Sequence, residues 1–332
     1  MPHLLPKLFV LVMSSSVMAC GSSTSTTVSR VDPQIPDGPL VYVALGASDA
    51  VGFNASVSCD GPANQDGRQP RQSDPLNCPG GTGYVPLLSQ SLRADQVVNL
   101  GLTSAVIGPQ VRNLSQGRAP ADILTDQVPR IPADATLLTL WTGNNDTTQI
   151  ALATATAVLQ GGDAAPLIAQ QVGIFRAEFQ TLLISIEQQA PNARLVVANI
   201  PNFALTPVGQ SQPASIQRLL REISVTINQE VINPLAQEGI PVVDVGCDPL
   251  SYETSSFFPG PLADGFHPND LGYARLAELF FNGIQNPTPP TQCSFQDLGR
   301  SIKGSLADLN RADLNLADLN RAELAAFVAE HW

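Results

Sequence analysis

The chain has 332 residues, of which 43% are hydrophobic and 14% are charged, so it can build a large folded core of one or two domains. Its 17 Lys and Arg are outnumbered by 29 Asp and Glu, and the formal net charge of -12 argues against a nucleic-acid-binding protein and against electrostatic attraction to anionic lipid. With only three His, the chain has little capacity for a histidine-rich metal site.

The first 19 residues have the features of a secretory signal peptide. Lys7 precedes an apolar stretch over residues 8–13, and small residues lead from there to Val17-Met18-Ala19-Cys20. This tetrapeptide resembles a bacterial lipobox, in which the cysteine is lipidated and becomes the first residue of the mature protein. An ordinary signal peptide with an incidental cysteine is the alternative. We therefore expect an exported domain that is anchored to the membrane of the cell envelope through Cys20.

The segment that follows, residues 20–38, is rich in Ser, Thr and Pro and predicts a flexible tether. Beyond it, five short segments rich in β-branched and aliphatic residues predict strands, and most of them are continuous apolar runs. Such runs are typical of a parallel sheet that is covered on both faces. The predicted strands are residues 40–45, 96–100, 135–141, 194–200 and 240–245.

Helical spacing of apolar residues predicts four helices between and after these strands. They cover residues 84–92, 167–189, 215–235 and 269–284. The alternation of strands and helices predicts an α/β fold, a three-layer α/β/α sandwich around a five-stranded parallel sheet of the flavodoxin-like kind. We place this domain at residues 39–285.

The cysteines predict two disulfides. Those that remain after Cys20 are Cys59, Cys78, Cys247 and Cys293. An even number in an exported protein favours disulfides, and four cysteines allow three pairings. Nearness in sequence favours a Cys59–Cys78 pair, which would close a polar insertion over residues 55–83, and a Cys247–Cys293 pair. A zinc site is disfavoured because the cysteines lack C-x-x-C spacing and neighbouring His.

Residues 286–332 form a C-terminal appendage in which Leu recurs every five residues, at positions 309, 314, 319 and 324. This period resembles the pentapeptide repeat, a β-helical architecture, but four repeats are too few to bury a core alone. The Ala, Leu, Arg and Glu content favours a helix instead. A period of five gives such a helix no fixed apolar face, so the role of the appendage stays open.

Three predicted strands are followed by turns that carry small or polar residues. Ser48 follows the first strand in Gly46-Ala47-Ser48, Gly101 follows the second, and the third ends in Gly143-Asn144-Asn145-Asp146. Open α/β sheets bind ligands at the carboxyl ends of their strands. A serine hydroxyl, a glycine N–H and an asparagine amide placed there suit nucleophilic attack and oxyanion binding. Each turn alone is equally compatible with a helix cap or an Asx-turn.

His267 is the only His between the signal segment and the extreme C-terminus, and Asp264 precedes it by three residues. A carboxylate at this spacing can reach the imidazole, fix its tautomer and stabilise the imidazolium form. A purely structural hydrogen bond between the two side chains is the alternative.

The order of these four segments resembles the SGNH (GDSL-type) hydrolase family over about residues 39–285. The resemblance implies that Ser48 is the nucleophile, that His267 is its general base and then acid, and that Asp264 orients His267. It also implies oxyanion donors at the Ser48 N–H, the Gly101 N–H and the Asn145 side chain. The expected activity is a serine esterase or lipase that cleaves carboxylic esters through an acyl-serine intermediate, without a cofactor or a metal.

The chain departs from the family at one position. The first motif of the family reads Gly-Asp-Ser, whereas this chain has Ala47 before the serine. In the family that Asp supports the turn, so we expect Asp49 or other groups to supply the missing hydrogen bonds.

Other functions remain open. The same fold and residues suit a carbohydrate O-acetyl esterase or transferase, and a non-catalytic cell-surface binding or adhesion module is the alternative from another class. A conventional α/β-hydrolase is disfavoured because Ser48 follows the first strand of the domain. The substrate is expected to be a small-molecule, lipid or glycan ester. Four phenylalanines near the motifs are candidates for lining an acyl pocket, namely Phe53, Phe257, Phe258 and Phe266.

Overall fold

The structure is a computed structural model that describes residues 38–58, 80–115, 119–262, 264–291 and 319–331. The signal segment and most of the tether lie outside these residues, as do Cys20, Cys59, Cys78 and Cys293. The first three predicted repeats of the C-terminal appendage also lie largely outside them.

Five parallel strands form one sheet in the order β2-β1-β3-β4-β5. Every residue of β1 and β3 is buried, as expected of central strands that are covered on both faces. The five-stranded parallel sheet predicted from the sequence is therefore confirmed. The strands are β1 Val41–Gly46, β2 Gln96–Asn99, β3 Leu137–Trp141, β4 Arg194–Ala198 and β5 Val242–Val243.

The last strand is shorter than the predicted residues 240–245. Pro241 precedes it and has no N–H to donate, although its carbonyl oxygen still accepts the N–H of Val197 at 3.0 Å. Only Val242 and Val243 complete the pairing with β4. The sheet therefore ends in a very short edge strand.

The helices form two groups, one on each face of the sheet, and the helices of each group pack against one another. One group contains α2 and α9, and the other contains α5 with α6, α8 and α10. This arrangement confirms the α/β/α sandwich. The α-helices are α1 Ser48–Val51, α2 Tyr84–Leu92, α3 Pro109–Leu114, α4 Ile123–Asp126, α5 Asn144–Leu159, α6 Ala164–Gln189, α7 Pro207–Gln210, α8 Ala214–Ile227, α9 Asp270–Gln285 and α10 Arg321–His331.

The helix predicted over residues 215–235 is not continuous. The α-helical part ends at Ile227, a π-helical turn covers Asn228–Ile232, and a 3-10 helix covers Asn233–Glu238. Pro234 lies in the first turn of the 3-10 helix, where its missing N–H is tolerated, whereas it would break an α-helix interior. None of the helices in the described ranges is both long and apolar enough to cross a membrane.

The described part of the C-terminal appendage packs on the domain. Leu319, Leu324 and Phe327 are each less than 10% exposed and belong to the main hydrophobic core. The Glu323 carboxylate accepts the N–H of Ser215 at 2.9 Å in the first turn of α8, whose N-cap residue, Pro213, provides no side-chain hydrogen bond. Asn320 donates its N–H to the Ser215 hydroxyl at 2.8 Å. Glu323 thus caps the start of α8 from 108 positions away, and the Asn320 contact ties the appendage to the same serine.

Candidate active site

The turn between β1 and α1 leaves no room for a side chain at Gly46. A Cβ there would lie 2.9 Å from the carbonyl oxygen of Trp141 and 3.2 Å from the Cβ of Ala50. The buried Gln127 holds the turn on both sides: the Gly46 N–H donates to its Oε1 at 3.0 Å, and its Nε2 donates to the Gly46 carbonyl oxygen at 2.7 Å. The chain direction at the end of the central strand is thereby fixed, and Ser48 begins the helix that follows.

The structure brings Ser48, His267 and Asp264 into one hydrogen-bonded chain. The Ser48 Oγ lies 2.9 Å from Nε2 of His267, and Nδ1 of the same ring lies 2.6 Å from Oδ2 of Asp264. Because a carboxylate only accepts, Nδ1 carries the proton in the neutral ring and Nε2 faces the serine hydroxyl as an acceptor. This arrangement can remove the proton from the hydroxyl.

A short turn presets the carboxylate of Asp264. Its Oδ1 accepts the N–H groups of Phe266 and His267 at 2.9 and 3.0 Å, and Gly265, which directly follows Asp264, has a φ of +68°. Partial burial acts to raise the pKa of Asp264, but the hydrogen bond and the charge of His267 together with the two N–H donors outweigh it and hold that pKa below its ordinary value. The carboxylate therefore stays ionised next to the ring.

The imidazole is also held from its sides. Phe53 and Phe266 contact the His267 ring edge-on, with ring centroids 4.8 and 4.7 Å away. Nδ2 of Asn54 donates to the His267 carbonyl oxygen at 2.8 Å and fixes the backbone of the same residue. Asn54 itself has a φ of +73°, a left-handed conformation that Asn tolerates better than most residues. Only 13% of the His267 side chain is exposed, so its orientation is set by these contacts.

Gly101 lies against the nucleophile turn, but its N–H is already paired. That N–H donates to Oδ1 of Asn99 at 3.0 Å, and Nδ2 of Asn99 donates to the carbonyl oxygen of Ala50 at 2.6 Å. A Cβ at Gly101 would lie 2.7 Å from the Cβ of Ala50 and 3.1 Å from the carbonyl oxygen of Ala47. The position therefore packs closely against the nucleophile turn, and in this structure its N–H donates to Asn99.

Asn145 begins the first turn of α5 and points its amide toward the loop that follows β2. Its Nδ2 donates one hydrogen to the carbonyl oxygen of Ala105 at 2.9 Å, which leaves the second hydrogen of the amide available. The neighbouring Ser104 has a φ of +60°, a conformation that is uncommon for residues other than glycine. Strained residues of this kind cluster at functional sites, and sequence reasoning did not single out Ser104.

A buried pair joins the nucleophile turn to the start of α5. Nδ2 of Asn144 donates to Oδ2 of Asp49 at 3.0 Å, and Asp49 is only 4% exposed. Burial raises the pKa of Asp49 above its ordinary value, although the charge of His267 and the hydrogen bond from Asn144 act in the opposite direction. Asp49 thus makes a side-chain hydrogen bond beside the turn in which Ala47 can make none.

Asp146 organises the backbone of two turns at this edge. Its Oδ1 accepts the N–H of Ile107 at 2.8 Å, and its Oδ2 accepts the N–H of Gly143 at 3.1 Å and the hydroxyl of Thr142 at 3.4 Å. The residue is completely buried, and burial raises its pKa to about 7 against the opposing effect of these donors. The sequence predicted a polar turn here but gave no sign of its link to Ile107.

The shifted pKa of Asp146 predicts a pH-dependent stability. Because the folded-state pKa lies above the ordinary value of about 3.9, the contribution of the protonated form is complete below pH 4 and is lost as the pH rises through 7. We expect urea unfolding to show a loss of roughly 3–4 kcal/mol from this group between pH 4 and pH 8. Asp146→Asn cannot titrate, so its stability should change less over that interval. An equal change in both proteins would remove Asp146 as the cause.

A cavity lies beside Ser48 and His267. Phe257 and Phe266 line it, together with Asp49 and Pro268, which are the direct neighbours of Ser48 and His267 in sequence. Phe53 instead contacts the His267 ring, and Phe258 is not among the lining residues. Two of the four phenylalanines predicted to form an acyl pocket thus line a cavity that adjoins the catalytic candidates.

The model of a family described as GDSL-like lipase/acylhydrolase matches residues 44–275 of the chain. No curated protein matches it. Among solved structures, a phospholipase A1 from Streptomyces albidoflavus NA297 is 17% identical, with a TM-score of 0.46, 76% of this chain covered and 100% of the other. An extracellular lipase from Streptomyces rimosus is 20% identical, with a TM-score of 0.44 and coverages of 75% and 100%. The lipase Lip_vut3 from a goat rumen metagenome is 15% identical, with a TM-score of 0.47 and coverages of 74% and 97%.

Proposed function

The chain belongs to the GDSL-like lipase/acylhydrolase family, and from this premise we propose that it is a serine esterase that cleaves carboxylic esters through an acyl-Ser48 intermediate. The observation that carries the proposal is the continuous chain of hydrogen bonds from the Ser48 hydroxyl through His267 to Asp264. A serine hydroxyl with a purely structural role needs only one hydrogen-bond partner. A nucleophilic serine needs a base to take its proton, and the carboxylate on the other ring nitrogen holds the imidazole in the form that can act as that base.

The reaction follows from this geometry. Ser48 Oγ attacks the ester carbonyl carbon while Nε2 of His267 takes the hydroxyl proton, and Asp264 stabilises the imidazolium that forms. The bond between the carbonyl carbon and the alcohol oxygen then breaks, and His267 gives its proton to the leaving alcohol. Water next attacks the acyl-serine, again with His267 as the base, and the proton returns to Ser48 Oγ as the carboxylic acid leaves.

The negative charge on the carbonyl oxygen needs donors near Ser48. The Ser48 N–H lies in the first turn of α1, where N–H groups have no acceptor within the helix. The second hydrogen of the Asn145 amide is the side-chain donor. The Gly101 N–H is the proposed backbone donor of the loop after β2, and because it donates to Oδ1 of Asn99 at 3.0 Å in this structure, it would share its hydrogen with the oxyanion.

The proposal is tested with p-nitrophenyl acetate, butyrate and palmitate, using the protein without its signal segment, produced under oxidising conditions. We expect turnover that Ser48→Ala removes while leaving the thermal unfolding transition unchanged. The dependence of the rate on chain length then measures the acyl site. Equal background rates in both proteins on the whole panel would contradict the proposed activity and favour a non-catalytic binding module.

We also propose that the enzyme is exported and held at the cell envelope by lipid on Cys20, with residues 20–38 as the tether, residues 39–285 as the catalytic domain and residues 286–332 as the appendage. The lipobox-like tetrapeptide supports the anchor. The pairing of Cys247 with Cys293 is supported by Cys247 Sγ, which lies 3.1 Å from the carbonyl oxygen of Thr291, two residues before Cys293. Radiolabelled palmitate should mark the wild type and not Cys20→Ser, and equal labelling would contradict the anchor.

A further inference from the structure

Large apolar side chains are rarely left in water among the described residues, and the exceptions are unevenly placed. Four such side chains are about half exposed: Val57 at 47%, Ile184 at 53%, Leu262 at 46% and Leu271 at 51%. Single exposed hydrophobic residues are ordinary on protein surfaces. Three of these four, however, lie on segments that are hydrogen-bonded around the backbone of His267, and that grouping needs an explanation.

The first link joins Val57 to Leu271. Ser56, the neighbour of Val57, donates its N–H to Oδ1 of Asp270 at 2.7 Å and its hydroxyl to Oδ2 of the same carboxylate at 2.5 Å. Asp270 is the neighbour of Leu271 in the first turn of α9. Each exposed residue is adjacent in sequence to one end of this bond, which brings the backbones of Val57 and Leu271 close together.

The second link joins Leu262 to the catalytic loop. The N–H of Leu262 donates to Oδ1 of Asn54 at 2.8 Å, and Nδ2 of Asn54 donates to the carbonyl oxygen of His267 at 2.8 Å. A single buried amide therefore connects the exposed leucine to the proposed general base. Asn54 also lies two residues before Ser56, which brings the two links together. We call Val57, Leu262 and Leu271 the apolar rim.

The chemistry of the apolar rim favours acyl chains over sugars. All three side chains are aliphatic, and no tyrosine or tryptophan among the described residues offers an exposed ring, since all four tyrosines and Trp141 are at most 5% exposed. Exposed aromatic rings are the usual partners of sugar faces and of cations. The net charge of -12 further disfavours an anionic surface, because like charges repel at low ionic strength.

We propose that the apolar rim docks the enzyme on the surface of an aggregated lipid ester without net charge, so that substrate enters the site from that surface. This inference rests on the proposed esterase function and names the physical state of its substrate. The rim inserts aliphatic side chains beside the loop that carries His267, and the ester group then reaches Ser48 without first dissolving in water.

The test uses tributyrin below and above its solubility limit, with all proteins in a Cys20→Ser background so that no lipid anchor contributes. Wild-type activity should rise about fivefold or more when droplets form, beyond the saturation expected from dissolved substrate. The triple variant Val57→Ser, Leu262→Ser, Leu271→Ser should lose most of this rise, with each single variant reducing it about threefold. The matched control Ile184→Ser removes the fourth exposed hydrophobic residue, on α6, and should keep the rise.

If droplets raise the activity of the triple variant as much as that of Ile184→Ser, the apolar rim is overturned. If the triple variant unfolds, the single variant Leu271→Ser provides the same comparison. Binding to phosphatidylcholine vesicles separates this inference from the catalytic proposal. The Ser48→Ala protein should bind these vesicles more tightly than vesicles containing phosphatidylglycerol, and the triple variant should lose binding. If the wild type binds the vesicles but hydrolyses no ester, the result counts against the esterase proposal alone. If the wild type hydrolyses dissolved tributyrin and the triple variant still binds vesicles as tightly, the result counts against the apolar rim alone.

Discussion

Replacing His267 by Ala is expected to lower kcat for ester hydrolysis by roughly 10⁴- to 10⁶-fold, with a much smaller change in KM. The ring is the group placed to take the proton of Ser48, because its Nε2 lies 2.9 Å from the hydroxyl. Adding Ser48→Ala should cost little more, since the two residues act in the same step and their losses are not additive. Rates of the single and double variants with p-nitrophenyl butyrate measure this directly.

Two controls make the His267 experiment specific. His331→Ala removes the other histidine that follows the signal segment and should retain wild-type rates. Asp264→Asn should lower kcat by about 10⁴-fold, because an amide no longer enforces the tautomer in which Nε2 accepts from Ser48. Losses of less than tenfold in His267→Ala would contradict its role as the base.

Replacing Asn145 by Ala is expected to lower kcat by about 10²- to 10³-fold and to leave KM nearly unchanged. The amide has one hydrogen on the carbonyl oxygen of Ala105 and a second that is available, so it can donate to an oxygen that becomes negative in the transition state. An interaction that strengthens only as charge develops changes kcat and not ground-state binding. Steady-state kinetics on the same ester separates the two parameters.

The adjacent residue provides the matched control for Asn145. Asn144 carries the same amide, but its Nδ2 donates to the buried carboxylate of Asp49 at 3.0 Å and is not directed at the loop that follows β2. Asn144→Ala should therefore lower kcat far less than Asn145→Ala, by about tenfold, through the loss of a buried hydrogen bond rather than of an oxyanion donor. Equal losses in the two variants would show that this turn acts as a structural unit and that Asn145 is not a donor to the oxyanion.

Most of the sheet and the long helices could be predicted because their signals are local. Continuous apolar runs mark β1 and β3, and α2 has the bounds that its apolar spacing predicts. Helix α5 was not predicted, since it begins with the polar residues of a motif and its buried face includes Thr147 and Thr154, so it has no clear apolar stripe. Its start depends instead on Asp146, which binds the N–H of Gly143.

The candidate active site also has a part that local sequence patterns predict and a part that they do not. The Asp264–His267 pair could be predicted from its spacing of three residues, and Ser48 from its position after the first strand together with the family resemblance. The contacts that hold these residues come from distant parts of the chain. Gln127 clamps a turn 81 positions away, and Asn54 reaches the carbonyl group of His267 across 213 positions. No pattern in one sequence marks such pairs, because they arise only when the strands are brought side by side.

The pairing state of a backbone group was equally invisible. Gly101 lies where a donor is expected, but its N–H is taken by Asn99 only two residues earlier. The positive φ of Ser104 has no signature in its residue type, since glycine or asparagine would be the usual choice there. These two features of the loop after β2 could therefore be seen only in the structure.

Covalent trapping shows whether Ser48 is a nucleophile that His267 activates. A fluorophosphonate ester transfers its phosphonyl group to an activated serine with loss of fluoride, and peptide mass spectrometry locates the adduct. We expect one adduct per molecule on the peptide that contains Ser48, formed at least about 10²-fold more slowly in His267→Ala. A wild-type protein that remains unlabelled, or that carries the adduct on another residue, would contradict this role of Ser48.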